Sequence, residues 1–149
     1  MDVLTWLDAQ GIAYQILQYP AAITTASDAA TFLGIKESQM LKSLLVKVGE
    51  EFVMILTPLD QRLDMEIVKR YFAVRKVRMA TPDEVLAVTG YKVGITCPFL
   101  LKTPVRIFVL PGVLSFERIA ISAGLFSKEI LISVESLKFV TQCTVLEQS

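Results

Sequence analysis

The sequence predicts an α+β, or mixed α/β, fold: one compact domain spanning residues 1–149 with a central mixed sheet flanked by short helices. Three observations predict it. Short strand-like stretches are interleaved with short helical ones, several neighbouring strands are joined by links that fit only hairpins, and a strict strand–helix–strand alternation is missing. Of the 149 residues, 53% are hydrophobic and the mean hydropathy is +0.53. That suits one well-filled core, with apolar surface to spare for an oligomer interface. Monomer and homo-oligomer both fit the sequence.

The elements follow in order. Residues Asp2–Gln10 read as a helix, with Asp2 as cap, Val3, Leu4, Trp6 and Leu7 as the apolar stripe and Gly11 as terminator. Tyr14–Tyr19 alternates as a strand and stops at Pro20. Ser27 is placed to cap a short helix, Asp28–Leu33, ended by Gly34. Gln39–Val48 is a strand, and Gly49-Glu50-Glu51 turns it into Phe52–Thr57. That second strand is apolar on both faces, as in a central strand covered on both sides. After the loop Pro58–Gln61, Asp64–Phe72 is helical and Lys76–Met79 is a short strand. Thr81-Pro82-Asp83-Glu84 forms a capping box for a helix over Pro82–Thr89, with Gly90 at its end. Tyr91–Phe99 fits neither helix nor strand. Val105–Leu110 is a strand closed by the Pro111-Gly112 turn, and Glu117–Ser122 is another, ended by Ala123-Gly124. Ile130–Ser133, a helix Val134–Lys138 capped by Ser133, and a strand near Cys143–Leu146 complete the chain.

The strand Gln39–Val48 carries an anomaly. Alternation puts Met40, Lys42, Leu44, Val46 and Val48 on one face and Leu41, Ser43, Leu45 and Lys47 on the other. Lys47 falls on the more polar set. Lys42 falls on the apolar set, expected to face a core, where its ammonium must either snorkel past a strand end or meet an anion.

Composition excludes several chemistries. The chain has no histidine and two cysteines, Cys97 and Cys143. A Ser-His-Asp triad, a Cys-His pair and an HExxH zinc site are therefore ruled out, and no metal or organic cofactor is expected. Two cysteines make no disulfide framework and fit a reduced, cytoplasmic protein. No apolar run is long enough to span a membrane, and MDVLTWLDAQ lacks the basic start of a secretion signal. Net charge is zero, which gives no general nucleic-acid coat. A local basic group does occur, Lys69, Arg70, Arg75, Lys76 and Arg78, flanked by Arg62. It is either a solvated face or an anion-docking patch.

Lys42, the loop from Gly90 to Phe99 and the turn Ser122-Ala123-Gly124 stand out as a candidate constellation. A Gly-x-x-x-Pro loop such as Gly94–Pro98 leaves main-chain N–H groups free to face a ligand oxygen. In order and spacing, five stretches resemble the YbaK/prolyl-tRNA synthetase editing-domain family of aminoacyl-tRNA deacylases. They are Leu41–Lys47, Pro58 with Asp60–Asp64, Ala80–Val85, Thr89-Gly90-Tyr91-x-x-Gly94-x-x-x-Pro98-Phe99, and Ser122-Ala123-Gly124.

The resemblance implies a partly barrel-like mixed sheet. It implies a free-standing editing role: ester hydrolysis of a mischarged aminoacyl-tRNA, with tRNA(Pro) carrying a wrong small amino acid as the expected substrate and a synthetase as a further partner. It also implies roles for named residues. Lys42, Gly94 and Pro98 form the catalytic set, Lys42 holding the phosphate or ribose end by charge. Ile95, Thr96, Cys97, Phe99, Ser122, Ala123 and Gly124 line the substrate site. Lys69, Arg70, Arg75, Lys76 and Arg78 would dock the tRNA body. Such chemistry needs no histidine, because an aminoacyl ester is already activated and responds to orientation and oxyanion stabilisation. Cys97 as a nucleophile would lack a histidine to activate it. Two departures from the family pattern, Ile95 and Leu100 where glycines are common, are expected to narrow or reshape the pocket. They also feed the alternative reading, a non-catalytic module that binds aminoacyl-tRNA or a small ligand.

Overall fold

The structure, a computed structural model, describes residues 1–147. Its strands are β1 (Tyr14–Gln18), β2 (Leu41–Val48), β3 (Glu51–Pro58), β4 (Val77–Met79), β5 (Arg106–Val109), β6 (Arg118–Ser122), β7 (Lys128–Ser133) and β8 (Thr144–Val145). The helices are α1 (Val3–Ala9), α2 (Ala26–Leu33), α3 (Met65–Phe72), α4 (Pro82–Thr89) and α5 (Val134–Thr141), with 3₁₀ turns at Glu37–Gln39 and Pro111–Ser115. The strands form two sheets, ordered β1-β7-β6 and β4-β2-β3-β5-β8. A single parallel bridge, Met40 to Ala120, joins them. The fold is thus α+β with mixed pairing, and the expected barrel character is corrected: one bridge links the sheets without closing them.

β2 and β3 form the predicted hairpin, with Val48 opposite Glu51 across a two-residue turn. β5 then lies parallel to β3. β3 is covered on both faces, as its composition requires. Val53 and Ile55 face the cluster that holds Val68 of α3, whereas Met54 and Leu56 face the larger cluster with Leu7 of α1 and Ile119, Ile121, Ile130 and Ile132 of β6 and β7. Burying such side chains stabilises by about 1.5–3 kcal/mol each.

Caps set the helix boundaries. Asp2 accepts from the Thr5 amide, Asp64 from the Glu66 amide and Ser133 from the Ser136 amide. The cap of α2 is Thr25, which accepts from the Asp28 amide at 3.1 Å, and not Ser27. The helix starts two residues earlier than expected because Thr25 stands in extended backbone while Ala26 and Ser27 are already helical. The capping box of α4 is complete. Arg78 adds a two-pronged ion pair to Glu84, at 2.7 and 2.9 Å, which ties β4 to α4. The Arg78 guanidinium, and after it the Thr81 amide, hold the Glu84 carboxyl down at about 2. The Pro111-Gly112 turn is a 3₁₀ turn, and α5 runs three residues further than expected, to Thr141.

Candidate active site

The site is a gap in the sheet. On the outer edge of β2, β4 pairs only with Val46, Lys47 and Val48. One further bond follows, from the Ala80 N–H to the Leu45 carbonyl at 3.0 Å. At the other end of the same edge, β6 makes only the bridge at Met40. Between these contacts a cavity of about 390 Å³ opens. Five consecutive β2 residues, Leu41 to Leu45, line it, so β2 meets it edge-on and not with one face. Val85 of α4, Gly94 and Thr96 of the irregular loop, and Ser122 and Glu129 of β6 and β7 complete the wall.

This geometry corrects the face argument for Lys42. Both faces of β2 are covered: Val46 and Val48 are buried on one, Leu41 and Leu45 on the other. Lys42 lines the cavity because the strand edge is open there. Lys47 does not line it. It stands 5.8 Å from the centre of the Phe52 ring and borders a separate surface depression with Lys69, Arg75, Lys76 and Arg78. Arg70 is exposed and does not border that depression.

The loop is clamped from two sides. Ser122 donates its hydroxyl to the Ile95 carbonyl at 3.0 Å and accepts from the Gly124 N–H at 3.3 Å. Tyr91 donates its hydroxyl to the Phe99 carbonyl. Its ring packs so closely on Gly124 that a Cβ there would lie 2.6 Å from the Tyr91 Cε1. Burial pushes the Tyr91 phenol above its ordinary range. Gly94 is different: it has φ +100°, and a Cβ would meet nothing within 4 Å. The glycine there keeps the cavity wall open, and a side chain would suffer from the positive φ, not from a clash inside the free protein. The Ile95 N–H is already bonded to the Lys92 carbonyl. The N–H groups of Gly94 and Thr96 have no main-chain acceptor among the described residues.

The structure therefore brings together Lys42, Gly94, Thr96 and Ser122 of the expected site residues. It does not bring the others to the cavity wall. Cys97 and Phe99 are buried in the main core, where Phe99 stacks near Trp6 at 6.3 Å. Burial pushes the Cys97 thiol up to about 11, so it stays protonated at neutral pH and is a poor nucleophile. Pro98 is buried beside them. Ala123 and Gly124 border a different depression, with Tyr91 and Leu100. Neither Ile95 nor Leu100 borders the Lys42 cavity, so the expected narrowing is corrected too. Leu100 instead adopts φ +49°, left-handed backbone that favours glycine.

Two residues escaped the sequence reading. Glu129 is only 9% exposed and forms no ion pair among the described residues. Burial raises its carboxyl from 4.5 to about 7. An acid leading directly into the apolar strand run Ile130-Leu131-Ile132 was the available signal. Ser43 has a buried hydroxyl with no hydrogen-bond partner, and no sequence pattern marks it. No group of three or more His, Cys, Asp or Glu side chains placed to hold a metal occurs among the described residues. No helix is long and apolar enough to cross a membrane.

An open strand edge, a lysine and a clamped glycine loop thus meet around one cavity on an α+β scaffold. The aminoacyl-tRNA editing domain family matches residues 20–139, and the chain belongs to that family. It is 37% identical over 76 residues to the proline–tRNA ligase of Thermotoga maritima, covering 51% of this chain and 13% of the ligase. It is 26% identical over 110 residues to the uncharacterized protein YwhH of Bacillus subtilis, covering 73% of this chain and 69% of that one. The chain thus spans about one-seventh of the ligases it matches. Among solved structures, a "putative trans-editing enzyme for prolyl tRNA synthetase" superimposes with a TM-score of 0.87 at 25% identity, covering 96% of this chain and 91% of the other. A "hypothetical protein APE2540" does so with a TM-score of 0.87 at 28% identity, covering 96% and 95%.

Two predictions follow from the packing. Gly124→Ala forces a Cβ into the Tyr91 ring and into φ +77°, and should lower stability by about 2–4 kcal/mol, read by urea unfolding. A wild-type midpoint would refute the clamp. For Glu129, the folded protein holds its proton up to about 7 while the unfolded chain releases it near 4.5. Its contribution is full below pH 4.5 and is lost as pH rises through 7. Glu129→Gln should remove that decline and raise stability at pH 8 by up to about 3 kcal/mol. Parallel pH–stability curves for the two proteins would contradict the assignment.

Proposed function

We propose that the protein is a free-standing aminoacyl-tRNA deacylase that hydrolyses the ester of a mischarged tRNA, with tRNA(Pro) bearing a small wrong amino acid as its substrate. The observation that carries the reading is the shared cavity of Lys42, Gly94 and Thr96 in a member of an editing-domain family. The relatives named for proline support the choice of tRNA. Water attacks the ester carbonyl, the carbonyl–oxygen bond to the ribose breaks, and the ribose hydroxyl leaves with a proton. The N–H groups of Gly94 and Thr96 are the donors on hand for the oxyanion, and Ser122 holds the loop that carries them through the Ile95 carbonyl. Lys42 supplies the cation for the terminal phosphate or ribose end. Pro98 acts by fixing the loop from within the core. Above pH about 7 the Glu129 carboxylate is an acceptor in the same wall for the water proton.

The basic depression is proposed to dock the tRNA body. Within it Lys69 is paired with Glu66 and Arg78 with Glu84, so Lys47, Arg75 and Lys76 carry most of the uncommitted charge.

The test is deacylation of a panel of mischarged tRNAs. Lys42→Ala should lower the rate by about 30- to several thousand-fold, the usual effect of losing a desolvated charge contact of about 2–5 kcal/mol. With tRNA saturating, so that docking does not limit the rate, Lys47→Ala should stay within about twofold, because Lys47 borders the basic depression and not the cavity. Equal small effects would remove Lys42 from the mechanism, and tRNA bound without turnover by the wild type would favour the non-catalytic module. Neutralising Lys47, Arg75 and Lys76 together should flatten the salt dependence of tRNA binding by roughly three phosphate contacts. An unchanged slope would make the depression an ordinary solvated face.

A further inference from the structure

The open edge of β2 has a definite hydrogen-bonding polarity at Ser43. In an antiparallel ladder, residues alternate between exchanging both main-chain bonds with the partner and pointing them away. Two observations fix the phase. Leu45 gives its carbonyl to Ala80, on the side away from β3. Leu56, which stands opposite Ser43, gives its carbonyl to Leu110 on the β5 side. Ser43 therefore exchanges nothing with β3. Its N–H and C=O point out of the outer edge, where neither β4 nor β6 pairs with it and where the cavity lies. Its hydroxyl is buried and unpartnered in addition. Three hydrogen-bonding groups of one residue are thus left to a ligand, and leaving buried polar groups unpaired is costly.

We propose that the aminoacyl group binds as a one-residue strand added to this edge, with its α-amino group donating to the Ser43 carbonyl and its ester carbonyl accepting from the Ser43 N–H. An amino acid ester offers the same donor and acceptor, at the same separation, as a residue in a strand. The inference rests on the reading of the cavity as an aminoacyl-ester site, and it assigns to Ser43 the recognition of the group common to every amino acid. Residues directly opposite in an antiparallel pair point their side chains to the same face. The substrate side chain then stands beside the Ser43 hydroxyl, between Leu41 and Leu45, where bulk at position 43 limits its size. Selection between amino acids and selection for amino acids therefore reside at one residue.

The probes are two stable adenosine derivatives in which the 3′ oxygen is replaced by an amide nitrogen, one carrying alanine and one carrying propionate, which lacks the α-amine. Calorimetry should show the alanyl compound binding about tenfold or more tightly than the propionyl compound, the usual effect of one charge-assisted hydrogen bond. The Ser43 amide resonance should move downfield on saturation with the alanyl compound. Ser43→Pro removes the outward N–H without breaking a bond to β3, since proline is tolerated on edge strands. It should weaken binding of both compounds by about threefold or more while circular dichroism stays unchanged. Equal affinity for the two compounds, no binding of either, or an unmoved Ser43 amide would overturn the proposal; these readouts use the wild-type protein and stand even if the proline variant misfolds. Wild-type protein that binds the alanyl compound as described yet hydrolyses no aminoacyl-tRNA would refute the deacylase reading alone.

Discussion

The constraint on which the rest depends is the incomplete pairing of one strand edge. β2 is fully paired with β3 along its inner side, from Leu41 to Val48. Its outer side is taken by β4 at one end and touched by β6 at the other. β4 is only three residues long and its chain leaves at Ala80 into the capping box of α4. β6 is aligned with β7 and touches β2 at a single bridge. The sheet cannot close, and the interval between the two partners becomes a cavity whose floor is main chain. A side-chain pocket in a filled core would have to be carved out against packing. Here the opening follows from where strands stop.

A gap in a sheet is useful only if its far wall is rigid. That wall is the loop Tyr91–Phe99, which has no regular hydrogen-bond ladder of its own. It is held instead by individual contacts: Thr96 to the Lys92 carbonyl, Ser122 to the Ile95 carbonyl, and Tyr91 to the Phe99 carbonyl. Its C-terminal part is anchored by burying Cys97 and Phe99 in the core. The loop therefore divides into a first part that borders the cavity through Val93, Gly94 and Thr96, and a buried part, Cys97–Phe99, that keeps it in place. On the proposed reading, Pro98 and Phe99 act on the site through this anchorage, without reaching the cavity.

This division also explains what was legible in the sequence. Element order, the β2–β3 hairpin, the two-faced β3 and the α4 capping box were readable because each depends on local chemistry: alternation, a turn, a cap. Alternation puts Lys42 on an apolar face, but alternation describes faces, and the cavity that Lys42 lines lies at an edge. Edges are set by which strands pair, and pairing is non-local. Ser43 was invisible for that reason: the phase of its ladder is fixed by Leu45 of its own strand together with Leu56, Ala80 and Leu110, which lie on three neighbouring segments. The effect expected of Ile95 and Leu100 failed on the same ground. A loop residue's distance from a cavity is not contained in the loop's sequence, and neither residue borders this one.

The short β4 strand also sets the relation between the cavity and the basic depression. Val77 and Arg78 border the depression, while Met79 and the following Ala80 border the cavity. The two surfaces therefore meet along one strand. A polyanion held by Lys47, Arg75 and Lys76 would lie within a few residues of the cavity mouth, where Met79 and Val93 present exposed apolar surface. Such a mouth suits the flat, apolar face of a nucleobase better than it suits a phosphate. On the proposed reading, charge and stacking act in sequence along β4: the depression attracts the backbone, the apolar mouth receives the terminal base, and the open edge of β2 receives the amino acid. The order follows from strand register alone, because shifting β4 by one residue along β2 would exchange the faces of Arg78 and Met79 and separate the attracting surface from the cavity it serves.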